Sequence, residues 1–82
     1  MYTTYALYSK EHDKIYIGFT SDLESRLRIH NEIATKGFTI KYRPWIVIYS
    51  EQYSTKAEAM KREKQLKSAQ GRNFIRNLIS SI

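Results

Sequence analysis

Three side chains that can take part in catalysis or ligand binding lie within a short stretch of the chain, Tyr16 to Asn31. Arg26 carries a permanently charged, planar fork that suits an oxyanion, and His30 has a reference pKa near neutrality. These two residues are four positions apart, so one helical turn places both along the same edge of a helix. Tyr16 lies in a β-like segment, Ile15 to Gly18, just before that helix. The stretch therefore predicts that a tyrosine, an arginine and a histidine share one neighbourhood.

The elements that must position these side chains are a strand, a turn and a capped helix. Ser21 is a favourable N-cap residue, and Glu24 three positions later completes a capping-box pattern, which predicts a helix beginning near Asp22. Gly18 has no Cβ and is expected to let the backbone leave the strand and turn into the helix.

A carboxylate at an unusual position adds a second candidate group. Thr55 is the predicted N-cap of another helix, on which Ala59, Glu63 and Leu66 line one inward stripe. A charged group at such a position needs a cation, a metal ion or a proton. The pattern leaves two interpretations open for Glu63, a functional carboxylate or a salt bridge to Arg26 or another base.

A basic segment with aromatic residues, Glu32 to Pro44, follows the first predicted helix and leads into the third predicted strand. Its cations are Lys36, Lys41 and Arg43, and its rings are Phe38 and Tyr42. Such a segment can follow a phosphate backbone and stack on bases, or it can be a solvated loop whose rings pack on the core. The sequence alone leaves both open, and Lys36, Lys41 and Arg43 are the candidate nucleic-acid contacts.

The remaining pattern predicts one α+β domain over residues 1–82, with a small three-stranded antiparallel sheet flanked by helices in the order β-β-α-β-α-α. The strands are expected at Tyr2–Tyr8, Ile15–Phe19 and Trp45–Tyr49, the last of them well buried. Gly71 is expected to break the Thr55-capped helix. A final amphipathic helix is marked by apolar residues at helical spacing, which are Phe74, Ile75, Leu78, Ile79 and Ile82.

Charge and composition limit the classes of function. The net charge is +6 and the pI about 9.7, which favours a polyanionic partner over a purely solubilising role. The absence of cysteine excludes disulfides and thiolate metal sites. No apolar run reaches the length of a membrane span, and the first residues lack the pattern of a signal peptide. A cytoplasmic protein without a membrane partner is expected.

The spacing of the candidate residues matches a known motif set. Tyr16-Ile17-Gly18 is a literal YIG, and Thr3-Thr4-Tyr5 stands ten residues before it in place of a GIY. Arg26 follows at the position of a helical arginine, His30 lies one turn further on, and Glu63 sits in an alanine-containing helix before a lysine. The chain resembles the GIY-YIG nuclease superfamily, in particular its small stand-alone bacterial members related to the amino-terminal nuclease domain of the excision-repair protein UvrC.

The resemblance implies a metal-dependent DNA endonuclease with a one-metal mechanism, related to DNA structure or lesions. Glu63 is expected to hold Mg²⁺ or Mn²⁺. Arg26 is expected to bind the phosphate, and His30 to orient water or phosphate. Tyr5 takes the role of general base, its ionisation eased by nearby positive charge, and Tyr16 positions water or substitutes for Tyr5.

Two other functions remain open at this stage. The first is a nucleic-acid binding module that keeps the fold without cleaving. The second is a plain interaction domain in which Glu63 and Arg26 form a core salt bridge and the basic surface is incidental.

Overall fold

The computed structural model describes residues 1–81, so the predicted contribution of Ile82 to the last helix lies outside the described residues. The elements follow the order β1 Tyr2–Ser9, β2 Lys14–Thr20, α1 Leu23–Arg28, a π-helical turn Ile29–Ile33, a 3₁₀ helix Phe38–Tyr42, β3 Ile46–Tyr53, α2 Lys56–Lys67 and α3 Ala69–Ser80. The predicted α+β class with a three-stranded antiparallel sheet is confirmed. Within residues 1–81, no helix is both long enough and apolar enough to cross a membrane.

The sheet has the order β2-β1-β3, with both pairings antiparallel. The central position of β1 explains why Thr4 to Ser9 are all buried. The expectation that the third strand is well buried is wrong. β3 lies at an edge of the sheet, where none of its residues is buried and Ile46 is exposed, because only one of its long sides is covered by a neighbouring strand.

Successive side chains along the strands point to opposite faces of the sheet, and this separates two apolar clusters. Ala6 and Ile17 point to one face and pack with Leu66 and Ile75 of α2 and α3. On the other face, Tyr5, Leu7 and Trp45 form a second cluster, joined by partly buried side chains that include Tyr16, Leu23 and Leu27. Since successive strand residues alternate between faces, the two aromatic residues Tyr5 and Tyr16 share the face covered by α1.

The start of α1 differs from the prediction by one residue. Its N-cap is Asp22, not Ser21, and the Asp22 carboxylate accepts from the Ser25 amide at 3.2 Å and from the Ser25 hydroxyl at 2.8 Å. β2 continues to Thr20, so Gly18 lies inside the strand rather than in a turn. A carboxylate is as good an N-cap as a hydroxyl, which is why propensity could not separate the two neighbours.

The junction of α2 and α3 also differs from the prediction. Thr55 caps α2 as expected, its hydroxyl accepting from the Glu58 amide at 3.3 Å. The break, however, is at Ser68, whose extended backbone ends α2 and whose hydroxyl accepts from the Gly71 amide to cap α3. Gly71 is buried within α3. A Cβ there would lie 2.2 Å from the Gln65 carbonyl oxygen, so glycine is needed for close packing of the two helices.

Candidate active site

The two tyrosines meet because of strand register and a glycine. Tyr5 pairs with Gly18 and Leu7 pairs with Tyr16, so Tyr5 and Tyr16 are diagonal neighbours on one face. Their ring centroids are 6.3 Å apart. A Cβ on Gly18 would lie 2.8 Å from the Tyr5 hydroxyl oxygen and 3.2 Å from Tyr16 Cε1. The glycine of the YIG motif therefore makes room for both rings.

His30 joins the two tyrosines from the π-helical turn. Its ring centroid is 4.7 Å from that of Tyr16, and its Nε2 is 3.3 Å from the Tyr5 hydroxyl. On the other side, its Nδ1 is 3.0 Å from the Thr39 hydroxyl. We assign the Tyr5 hydroxyl as donor to Nε2 and the Nδ1–H as donor to Thr39, because a phenol is a stronger hydrogen-bond donor than an alcohol.

The charge state of His30 follows from its surroundings. Burial, and then the positive charges of Arg26 and Arg43, lower the pKa of His30 below its ordinary value. The ring is therefore neutral at pH 7, and its Nε2 can accept a proton.

Tyr5 is 1% exposed, and its pKa is raised well above the ordinary value. Burial is the largest cause, followed by the neighbouring Tyr16 phenol; Arg26 lowers the pKa, and Glu63 raises it. Arg26 and Glu63 thus lie close enough to act on Tyr5 through their charges. The expectation that Arg26 eases the ionisation of Tyr5 holds in direction, but burial outweighs it in the protein alone.

Glu63 occupies the inward stripe of α2 between the buried Ala59 and Leu66. Its side chain is 20% exposed and pairs with Lys67, with 3.5 Å between Oε2 and Nζ. The predicted alternative of a salt bridge to Arg26 or another base is therefore confirmed, with Lys67 as the base. Lys67 lies one turn further along the same helix, where an (i, i+4) pair forms without any tertiary requirement.

The fit of a divalent ion can be judged from the donors present. Within residues 1–81, no three His, Cys, Asp or Glu side chains are arranged to hold a metal ion together. Glu63 is thus a single carboxylate whose charge acts on Tyr5. Mg²⁺ and Mn²⁺ fit this set, because a hard ion can keep most of its water and bind through one carboxylate and the phosphate of a substrate.

The cations of the basic segment have different surroundings. Lys36 and Lys41 are exposed. Arg43 is half-buried, and its guanidinium donates to the carbonyl oxygens of His30 at 2.6 Å and Ala34 at 2.7 Å. Arg43 therefore closes the end of the π-helical turn that carries His30. A contact of Lys36, Lys41 or Arg43 with nucleic acid stays a prediction.

Two features of the site were missed from the sequence. Thr39, which orients His30, is a buried residue of a 3₁₀ helix, and no periodic pattern marked it. A cleft beside Tyr16 is lined by Ile15, Ile17, Phe38, Lys67 and Arg72. Its members come from four separate elements, so only the tertiary structure shows them together.

Comparison with known proteins shows which family the chain belongs to. The family model described as the GIY-YIG catalytic domain matches residues 1–77. The chain belongs to the GIY-YIG family. This confirms the resemblance inferred from the motifs, and a GIY-YIG domain implies a nuclease-type function acting on nucleic acid.

Relatives of similar size share this GIY-YIG domain. A UPF0213 protein of Staphylococcus haemolyticus is 36% identical over 56 residues, which is 68% of each chain. A UPF0213 protein of Staphylococcus aureus is 37% identical over 54 residues, or 66% of each chain. The solution NMR structure of a UPF0213 protein from Bacillus halodurans aligns with a TM-score of 0.55 and 25% identity, covering 95% of this chain and 85% of that one.

Proposed function

We propose that this GIY-YIG protein is a divalent-metal-dependent endonuclease that hydrolyses phosphodiester bonds in DNA in the cytoplasm, with a role related to DNA structure or lesions. One observation carries the proposal. Tyr5, Tyr16 and His30 are in mutual contact, and the charges of Arg26 and Glu63 both act on Tyr5. A phosphate held at this place meets a proton acceptor, a cation and a carboxylate together.

The proton that leaves the attacking water needs an acceptor. Tyr5 can take this proton while its own hydroxyl proton passes to the neutral His30 at Nε2, along the hydrogen bond already present. Tyr16 lines the open cleft and positions the water. In the alternative assignment, Tyr16 takes the proton itself, because it is more exposed than Tyr5.

The two charged residues, Arg26 and Glu63, act on the phosphate. Arg26 is exposed on α1 and can present its fork to two non-bridging oxygens. Glu63 would hold Mg²⁺ or Mn²⁺ as the only protein carboxylate, and the bound ion would supply Lewis-acid stabilisation of the phosphate and of the leaving 3′-oxygen. Lys67 must then give up its ion pair with Glu63.

The test is a cleavage panel of single-stranded, duplex, flapped and branched DNA, each with Mg²⁺, Mn²⁺ or EDTA. We expect metal-dependent cutting whose rate falls at least 100-fold in Glu63→Gln and in Arg26→Ala. The melting temperature of Glu63→Gln and its affinity for DNA in EDTA should be nearly unchanged. Glu58→Gln, an exposed glutamate on the same helix, is the matched control and should cut normally. Wild-type protein that cuts none of these DNAs with either metal would contradict the proposal.

Conservative tyrosine variants separate the two assignments of the base. If Tyr5 and His30 accept the proton, Tyr5→Phe loses cleavage while Tyr16→Phe keeps a reduced rate. The reverse order assigns the proton transfer to Tyr16. Both variants retain the ring, so the packing of the second cluster is preserved.

A non-cleaving nucleic-acid binding module is the second candidate, and the altered first motif, Thr3-Thr4-Tyr5 in place of GIY, favours it. That function predicts that Glu63→Gln binds DNA like wild type and that no DNA is cut. The third interpretation, an interaction domain, required a salt bridge between Glu63 and Arg26, and Glu63 instead pairs with Lys67.

A further inference from the structure

A cleft of about 290 Å³ adjoins the candidate active site through Tyr16. Its other lining residues with chemical character are Phe38, Lys67 and Arg72, which come from the 3₁₀ helix, the end of α2 and the first turn of α3. None of these three is among the five residues assigned to catalysis. A DNA strand bound at the candidate active site would therefore extend into this cleft.

Phe38 is an aromatic ring held in place yet half exposed. It is 50% exposed, while its centroid lies 4.9 Å from that of Tyr42 and 6.2 Å from that of Trp45. Gly37 before it has a φ of 113°, a conformation that side chains rarely adopt, and this turn brings the ring to the surface. A preorganised ring with free surface loses little entropy when a second ring stacks on it.

Lys67 and Arg72 give the cleft its charge. The Lys67 side chain is 51% exposed and pairs with Glu63. Arg72 is exposed, its Nε donates to the Lys67 backbone carbonyl oxygen at 3.4 Å, and both residues line the cleft. Two cations in one cleft with an exposed ring fit a phosphate and a base of the same nucleotide.

We propose that this cleft binds one unpaired nucleotide of the substrate strand next to the cut, with its base stacked on Phe38 and its phosphate held by Lys67 and Arg72. A base inside a duplex has both faces covered by its neighbours and is not free to stack on Phe38. The site is therefore selective for single-stranded or frayed DNA. This inference rests on the proposed nuclease function and names its substrate class.

The first measurement is binding in EDTA, so that no cleavage occurs. The probes are fluorescein-labelled dT12 and a twelve-unit abasic strand of equal charge. We expect wild type to bind dT12 about 5- to 160-fold more tightly than the abasic strand, the range for loss of base–aromatic stacking. We expect Phe38→Leu to remove this preference, and Phe74→Leu, at an exposed phenylalanine that packs on Tyr49 of the edge strand, to retain it.

The second measurement concerns the cations. Arg72→Gln should weaken dT12 and the abasic strand by the same factor and reduce the slope of log affinity against log salt by roughly 0.7. Arg28→Gln, at an exposed arginine paired with Glu32 on the first helical segment, is the control and should leave the slope unchanged. The melting temperature of each variant shows that the fold is retained.

The outcomes separate this inference from the proposed function. Equal binding of dT12 and the abasic strand by wild type would overturn the nucleotide cleft, whether or not DNA is cut. If wild type cuts DNA and the Phe38→Leu variant binds and cuts like wild type, the nucleotide cleft is overturned and the proposed nuclease function is retained. A Phe38-dependent preference for dT12 without any cutting would support the cleft and contradict the nuclease.

Discussion

Gly18 shows how one missing side chain sets the geometry of the candidate site. The rings of Tyr5 and Tyr16 lie over its Cα because no Cβ occupies that space. The rings in turn bring the Tyr5 hydroxyl to His30 Nε2. The glycine of the YIG motif is thus a packing requirement of the two phenols, and the strand around it stays regular.

We expect Gly18→Ala to cost about 1–3 kcal/mol of unfolding free energy, the usual range for overpacking. Tyr5→Phe removes the oxygen that the new methyl meets at 2.8 Å. The double variant should therefore lose less stability than the sum of the two single variants, as measured by urea denaturation. Strict additivity would show that the alanine methyl does not meet the Tyr5 hydroxyl.

The lowered pKa of His30 makes stability depend on pH. Between the unfolded pKa near 6.5 and the lower folded pKa, the unfolded chain binds more protons, so stability is full above about pH 6.5 and falls as the pH drops through that window. Each unit of lowering is worth about 1.4 kcal/mol. His30→Gln should show a smaller loss than wild type between pH 7.5 and pH 5 in urea denaturation. Equal losses would contradict a neutral His30.

Gly71 allows α2 and α3 to pack closely at the corner between them. The Ser68 hydroxyl ends one helix and caps the next, which brings the start of α3 against the last turn of α2. The corner matters for the site because Lys67 and Arg72 lie on either side of it.

We expect Gly71→Ala to destabilise the protein by about 1–3 kcal/mol, because its methyl would lie 2.2 Å from the Gln65 carbonyl oxygen, and backbone must move to admit it. At an open helical position the same change would be stabilising. Gln70→Ala, at an exposed position beside it, should stay within about 0.5 kcal/mol of wild type. A Gly71→Ala variant as stable as wild type in thermal denaturation would mean that the helices are not packed this closely.

The whole molecule carries a net charge of +6, which acts on any polyanion through the release of counterions. With Arg26, Lys67, Arg72, Lys36 and Lys41 as phosphate contacts, single-stranded DNA binding should have a slope of about −3.5 in log affinity against log salt. The double variant Lys36→Gln, Lys41→Gln should reduce this slope by roughly 1.4 while retaining the melting temperature. An unchanged slope in fluorescence anisotropy titrations would remove these two lysines from the interface.

The sequence by itself determined the strands, the helices and the identity of the candidate groups, because these depend on local periodicity, capping residues and motif spacing. Tyr5, Tyr16, Arg26, His30 and Glu63 were all named from spacing. The local pattern was wrong where neighbouring residues have equal propensity, as with Ser21 and Asp22, and where glycine has more than one use, as with Gly18 and Gly71. It also missed the 3₁₀ helix Phe38–Tyr42 and the extension of β3 to Tyr53.

Only the tertiary structure decided which strand is buried, which cation pairs with Glu63, and what surrounds each ring. β3 is an edge strand because of the sheet order, and its apolar run could not indicate this. Arg43 became a structural donor because the chain returns to the end of the π-helical turn. The burial of a residue and the charges around it depend on residues distant in sequence. For this physical reason, neither the raised pKa of Tyr5 nor the cleft beside Phe38 could be predicted from the sequence.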